Sequence, residues 1–323
     1  MTLDIFKLSF TSPLHLSKGK LETYESSEDV LHSDTLKSAL FVTALQLYGD
    51  SVLEEDFFGQ FQVSSAFPYA DDAFYFPKPY SFNPSNKPEI RKDLKKIRYV
   101  RRDYFERILA GEKKLPETEL IDTSDPDIWK SDNTQRVVID RVNSQGVPFY
   151  LEKLYPVQSE NRGLYFIVRA KDAALLDRLE WVARLLGENG IGLQRGLGNG
   201  CFEVKRGRLE LNLPDNANAS VSLSLYRPIE GEINTPMLES GFYDFMQRGG
   251  WIASPEQDEH RSIRKKSVYM FKEGSVFGFQ ENPAALTLRG EKVDITPDNK
   301  KLPFPLKHEI WRDGSGLFLP IRM

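Results

Sequence analysis

The chain has 323 residues, a formal net charge of −4 and 40% hydrophobic residues, enough apolar material for two domain cores. Its single cysteine, Cys201, excludes internal disulfides and cysteine-based zinc sites and fits a reducing compartment. No apolar run approaches the roughly 20 residues that span a bilayer, and Asp4 and Lys7 make the N-terminus a strand rather than a signal peptide, so a soluble cytoplasmic protein is expected.

The charge balance gives no global sign of a nucleic-acid partner, so local distribution matters more. Between Lys87 and Lys114 eleven Lys/Arg face five Asp/Glu, and the segment Glu117–Asp127 then turns acidic.

Residues 3–10 alternate imperfectly and read as a first strand. A loop follows, Ser12-Pro13-Leu14-His15-Leu16-Ser17-Lys18-Gly19. His32-Ser33-Asp34-Thr35 opens a helix with Ser33 or Asp34 as N-cap. Leu36, Leu40, Ala44 and Leu47 line its buried face, and Gly49 ends it. Lys37 sits in the first turn, where a cation opposes the helix dipole. A solvated lysine is the simpler reading; a phosphate near the helix N-terminus is the functional one.

Ser65–Phe76 is aromatic and strand-like. Pro77, Pro79, Pro84 and Pro88 then break regular structure. In the basic segment, Leu94, Ile97, Arg98, Arg101, Phe105 and Ile108 suggest short helices with basic faces. Tyr99, Tyr104 and Phe105 interleave with the charge, as a nucleic-acid contact would require. Arg136–Asp140 and Pro148–Glu152 read as two strands of a hairpin with Asn143–Gly146 near its tip. Gly163–Arg169 is a further strand, Asp172–Leu186 a helix and Cys201–Leu211 a strand.

Between that helix and that strand lie six glycines in the fourteen residues 187–200, too many for either element, so this stretch is a loop. Its backbone can take positive φ and approach another chain or ligand closely, and its successive N–H groups can cradle an anion. A surface turn fits it equally well when read alone. It is not a dinucleotide fingerprint, because Arg195 and Cys201 stand where third glycines would be needed, nor a phosphate-binding P-loop, which ends in Gly-Lys-Ser/Thr.

Setting aside an insertion at about 77–160 leaves the order β, α, β, β, α, β. That is the ferredoxin-like split βαβ arrangement, the same order as the RRM. After Pro214 short strands predominate: Val221–Tyr226, a hairpin over Phe242–Ile252 turning at Gly249-Gly250, Ser267–Phe271, Ala285–Leu288 and Leu317–Ile321. The expected organisation is α+β with residues 1–211 and 212–323 as two domains, the second β-rich.

No His/Cys/carboxylate cluster has metal-ligand spacing, and neither metal nor cofactor is expected. His15, His32 and Lys18 are candidates for acid–base cleavage of RNA through a 2′-hydroxyl. His32 stands beside a helix cap and is more simply structural. His15 suits base stacking as well. Asp34 is accounted for as a cap, and Asp140 as a partner of Arg141. Exposed aromatics such as Trp251, Tyr269 and Trp311 would instead suit a scaffold that binds only protein.

Four stretches carry a family resemblance: Pro13-Leu-His15 with His32–Leu40, the hairpin Arg136–Arg141, the loop Gly190–Val204 and Lys265–Phe277. Together they resemble the fourth-subunit family of the Csm effector complex of type III-A CRISPR systems, within the RAMP superfamily. The resemblance implies a RAMP architecture, with a thumb on residues 136–152 and a second domain for which a degenerate ferredoxin-like fold is one option. It also implies a non-catalytic RNA-binding role in antiviral defence, holding the 5′ handle of the guide crRNA. The partners it implies are the large polymerase-like subunit, the backbone RAMP subunit and target RNA near the thumb. By the same resemblance His15, Lys18 and Gly19 face the handle. Arg195, Gly196, Gly198, Asn199 and Gly200 serve RNA from the glycine loop, and Arg136 and Arg141 from the thumb. A RAMP endoribonuclease that processes guide precursors is the alternative.

Overall fold

The structure, a computed structural model, describes residues 1–17, 25–82, 96–113, 126–140, 142, 144–157, 161–252, 263–279, 288–306 and 308–323. In chain order it begins with β1 (Thr2–Phe10), the short strands β2 (Leu16–Ser17) and β3 (Ser27–Glu28), and helix α1 (Ser33–Tyr48). Helix α2 (Ser51–Glu54) leads to β4 (Phe61–Val63), β5 (Phe67–Ala70) and β6 (Ala73–Pro77). Strand β7 (Tyr99–Arg101) and helix α3 (Arg102–Leu109) precede the long hairpin β8 (Trp129–Ile139) and β9 (Gly146–Pro156). Strand β10 (Arg162–Ala170), helix α4 (Ala173–Asn189) and strand β11 (Phe202–Glu210) complete the first half.

The main sheet runs β11-β1-β10-β5-β6-β7, with β4 also pairing with β10. Its first and last strands in sequence, β1 and β11, are antiparallel neighbours in register from Thr2↔Glu210 to Phe10↔Phe202. Strand β10 lies antiparallel on the other side of β1. Both faces of the sheet are covered, which explains why β1 alternates only imperfectly. Phe6, Leu8 and Phe10 join one core with Leu36 and Leu40 of α1 and Leu179 and Val182 of α4. Leu3 and Ile5 join a second core with Tyr165, Ile167 and Leu209. A strand buried on both faces has no polar side to alternate with.

The second half consists of β12 (Ala219–Ser222), α5 (Thr235–Glu239), β13 (Phe245–Arg248), β14 (Val268–Phe271), β15 (Val276–Gly278), β16 (Lys292–Asp294), β17 (Trp311–Asp313) and β18 (Phe318–Ile321). These strands form a three-stranded sheet, β15-β12-β18, and two separate pairs, β13-β14 and β16-β17. Val221, Leu223, Leu317 and Leu319 fill the second core behind Leu3, Ile5 and Leu209, so the two halves share buried apolar side chains.

Three expectations require correction. Residues 242–252 do not fold back on themselves at Gly249-Gly250. Strand β13 pairs with β14, and Trp251 bridges to Arg264. Leu47 of α1 is 44% exposed; in the last turn it is Leu45 and Tyr48 that pack against the core. The N-cap position of α1 is His32, without a side-chain cap bond. Ser33 Oγ accepts from Leu225 N instead, and Asp34 is taken by two arginines. Ala285–Leu288 falls outside the described residues except for Leu288, which is buried.

Candidate nucleic-acid interface

Helix α4 starts at an Asp172 cap whose carboxylate accepts from Leu175 N (2.8 Å), and it ends at Gly190 with φ +75°. From there the glycine loop folds against residues 13–16. Gly200 N donates to Pro13 O (2.8 Å), Leu193 N to His15 O (2.9 Å) and Ile191 N to Gly200 O (3.0 Å). Residues 13–16 in turn clasp the base of the β8-β9 hairpin. Leu14 and Leu154 exchange two 2.8 Å backbone bonds, and His15 Nδ1 lies 2.6 Å from Glu152 O. Loop, connector and hairpin base thus form one stitched unit at one end of the main sheet.

The glycines divide by physics. At Gly200 (φ +74°) a Cβ would stand 1.9 Å from Ile191 O, at Gly190 2.4 Å from Asn199 O, and at Gly192 2.5 Å from His15 O. These three exist so that backbones can touch. At Gly196 and Gly198 a Cβ would meet nothing within 4 Å, so this turn presents open backbone. Arg195 and Leu197 project from the same turn and are exposed. The expectation that Gly196, Gly198 and Gly200 act alike is therefore corrected: Gly200 closes the loop, and the other two form its open surface.

The hairpin is longer than its sequence signal. It is paired without interruption from Trp129↔Pro156 to Ile139↔Gly146. Its outer half is apolar yet uncovered, with Val137 56%, Ile139 65% and Val147 62% exposed. The register places Arg136, Val138, Val147, Phe149 and Lys153 on one face. That face turns toward the glycine loop. Val138, Val147 and Phe149 line an open cleft of about 510 Å³ with Leu193 and Gln194.

Deeper in the same angle lies Lys153, only 8% exposed. Its Nζ donates to Asn199 Oδ1 at 3.4 Å, and Asn199 Nδ2 donates to Gln194 Oε1 at 3.2 Å. Burial pushes the Lys153 ammonium below the usual lysine range, and the positive charge of Arg136 pushes it further the same way. Arg136 Nε is buried and has no hydrogen-bond partner among the described residues. Sequence reading missed Lys153. The signal was there: in Phe149-Tyr-Leu151-Glu-Lys153 it takes the inward step of the alternation.

The other expected site residues are distributed as follows. Lys18, Gly19 and Arg141 lie outside the described residues. His15 is 2% exposed and ties connector to hairpin, so it offers no free ring for stacking. Asn199 is 6% exposed and orients Lys153 rather than standing in solvent. Lys37 is neither solvated nor open to phosphate: Asp313 Oδ1 at 3.0 Å and Ser315 Oγ at 3.3 Å hold its ammonium, and Phe58 and Phe61 flank it. A buried carboxylate from the far end of the chain relieves the helix-dipole conflict. Tyr99, Tyr104 and Phe105, read as aromatics interleaved with charge, are core residues. Their basic neighbours Arg98, Arg101 and Arg107 pair with Asp29, Asp103 and Glu112.

The acid–base candidates are likewise engaged. His32 is buried between Glu273 (2.8 Å) and Glu28 (3.1 Å). Burial alone would lower its pKa, but the Glu273 carboxylate outweighs this and raises it to about 9. Asp34 opposes burial through Arg248 and Arg312, which hold it far below the usual carboxylate range. Asp140 accepts from Val142 N (2.8 Å) at the hairpin tip. Among the described residues no group of three or more metal-ligating side chains converges.

The family model of the CRISPR Csm4 C-terminal domain matches residues 215–321. A Csm4 protein of Thermococcus onnurineus is 29% identical over 254 residues, 74% of this chain and 82% of the relative. One from Methanocaldococcus jannaschii is 23% identical over 390 residues, covering 99% of this chain and 97% of the other. The chain is thus similar to Csm4 proteins over most of its length. In fold, the chain resembles a chain of a Csm1-Csm4 cassette solved with cA4, at a TM-score of 0.63 and 22% identity over 100% of this chain and 99% of that one. It also resembles a chain of a Csm3-Csm4 subcomplex of the type III-A interference complex, at 0.62 and 19% over the full length of both. The family-model match falls on the second half of the chain, whereas the loop, connector and hairpin lie in the first. No helix among the described residues is long and apolar enough to cross a membrane.

Proposed function

We propose that the chain is a non-catalytic RNA-binding subunit of a type III-A CRISPR effector complex in the cytoplasm. In this reading it holds the 5′ handle of the guide crRNA on the surface shared by the glycine loop and the β8-β9 hairpin. It bridges a large Csm1-like subunit and a Csm3-like backbone subunit, the partners named with the similar structures. The antiparallel strands β4, β10, β1 and β11 with α1 and α4 are read as a ferredoxin-like RAMP domain over residues 1–211, and 212–323 as the second domain.

The observation that carries the reading is the angle between hairpin and loop. It combines open glycine backbone, an exposed Arg195, the buried Lys153, the half-buried Arg136 and an apolar cleft. Phosphate contacts position a single strand, and splayed bases need apolar or aromatic surfaces beside them. The histidines that a nuclease would use are held in other duties, His15 by Glu152 and His32 by two carboxylates.

The test is photocrosslinking of the assembled complex to guide RNA labelled in its 5′ handle, wild type against Arg195→Ala/Gly198→Asp. Unprocessed precursor is included in the same samples. A crosslink to this chain that the double variant loses is expected, with the precursor left intact by the isolated chain. Cleavage that requires His15 or His32 would replace this reading with an endoribonuclease. An unchanged complex without any crosslink would leave a protein scaffold.

A further inference from the structure

Two cations share one face of the β8-β9 hairpin with no counter-ion among the described residues. Among the described residues no carboxylate lies within ion-pair distance of Arg136 or Lys153, although most other described arginines have one. Asp132, directly opposite Lys153 in register, is exposed and makes no ion pair with it. Lys153 keeps one long bond to a neutral amide, and Arg136 Nε keeps none. Burying a charge without a partner is costly, and proteins normally avoid it by pairing the group. Such a site gains free energy when an anion enters.

The surroundings narrow the anion. Next to the cations, the cleft of about 510 Å³ is lined by Val138, Val147, Phe149 and Leu193, with Gln194 at its edge. Gln194 has φ +59°, and its Oε1 is fixed by Asn199 Nδ2. A charged site beside an apolar cleft with one polar edge matches a nucleotide rather than an inorganic anion.

We propose that Arg136 and Lys153, with Lys153 oriented by Asn199, clamp a single backbone phosphate of bound RNA, and that the adjoining base sits in the Val138–Val147–Phe149–Leu193 cleft. This rests on the RNA-binding reading above. It adds a defined phosphate, a defined base seat and a residue, Lys153, that the sequence motifs do not include. The clamp closes the angle between hairpin and glycine loop, so it engages only a strand that passes between them.

The experiment uses the full chain assembled with its partner subunits. Guide RNAs carry one neutral methylphosphonate each, at successive positions, and their affinities are compared for wild type, Lys153→Gln and Arg136→Gln. In wild type one position is expected to lose roughly tenfold or more, the scale of a charge-assisted hydrogen bond. Lys153→Gln should lose a similar factor with unmodified RNA and nothing further at that one position, since the two changes remove the same contact. Its salt dependence should flatten by roughly 0.7 in log–log slope, one phosphate on a single strand. An abasic residue next to the sensitive phosphate should weaken binding in wild type, with the loss diminished in Val138→Ala.

Thermal denaturation separates a binding role from a structural one. Removing one of two unpaired like charges should leave Lys153→Gln as stable as wild type or more so. Wild-type affinity in Lys153→Gln, or several positions losing equally, overturns the clamp while leaving RNA binding intact. Wild type that binds no guide RNA overturns the RNA reading and the clamp together. A lowered melting temperature with unaltered phosphate dependence makes Lys153 a structural residue.

Discussion

At the scale of residues, the glycines of the loop are the sharpest discriminators, because their identical letters hide opposite duties. Gly200→Ala forces a Cβ to within 1.9 Å of a backbone oxygen at φ +74°. The expected result is a loss of several kcal/mol or a misfolded loop, well above the roughly 1 kcal/mol that a strained φ alone costs. Gly196 has no positive φ, and a Cβ there would meet nothing within 4 Å. Gly196→Asp should therefore leave the melting temperature unchanged while weakening RNA binding through charge. Denaturation and RNA affinity measured on both variants check the pair. Equal destabilisation by both would refute the division. The sequence marks all six as glycine but not which ones touch backbone, because that depends on residues 13–16, far away in the chain. Lys37 teaches the same lesson. Its dipole conflict was legible, but its answer, Asp313, lies 276 residues away. Lys37→Ala leaves Asp313 buried and unpaired, and a loss of roughly 3–5 kcal/mol is expected by chemical denaturation.

At the scale of elements, local pattern served where contacts are local. Helix α4 and its apolar stripe follow from spacing alone. So does strand β11, whose pairing with β1 nonetheless had to be inferred from element order. The expected hairpin at residues 242–252 failed because two glycines and flanking aromatics are an adequate turn signal, while the true partner of β13 lies twenty residues on. The basic segment misled for a related reason. Its aromatics alternate with charge, as a stacking platform would, but Phe105 lies parallel to Phe76 at 4.4 Å in the core. The β8-β9 hairpin shows the reverse. Its outer half buries little, so its length is explained by a function outside the core. Replacing residues 137–147 with a two-residue turn should keep the folded chain intact, with a melting temperature within a few degrees of wild type. RNA binding by the assembled complex should drop at least tenfold. Calorimetry and affinity on the trimmed chain test this, and unfolding on trimming would make the hairpin a structural element.

At the scale of the whole molecule, the two halves are held together by a shared core and by buried ions that converge on the start of α1. Glu28, His32 and Asp34 meet Arg248, Glu273 and Arg312 across more than 200 residues of sequence. This junction was invisible in the sequence, where His32-Ser33-Asp34 reads as an ordinary cap. It should make stability depend on pH in a way that identifies His32. Its folded pKa, about 9, lies above its ordinary value of 6.5. The folded state thus holds a proton that the unfolded state releases first. The resulting stabilisation is complete below 6.5 and is lost as pH rises through about 9; a shift of this size corresponds to roughly 3 kcal/mol. Glu273 has the opposite sign. Burial opposes its charge, but His32 outweighs this and holds its pKa below 4.5, so its contribution is present above that pH and lost in acid. Lys265, lowered to about 8 by burial and by Arg312, regains stability above pH 8 and partly masks the fall due to His32. The measurement is therefore a difference: unfolding free energy from pH 6 to 10 for wild type and His32→Gln. Wild type should lose stability between 6.5 and 8 where the variant stays flat, and the gap between them should shrink toward pH 9. Because the halves share one core, each titration should shift a single cooperative transition. Two separate transitions, or parallel curves for the two proteins, would show that His32 does not join the halves.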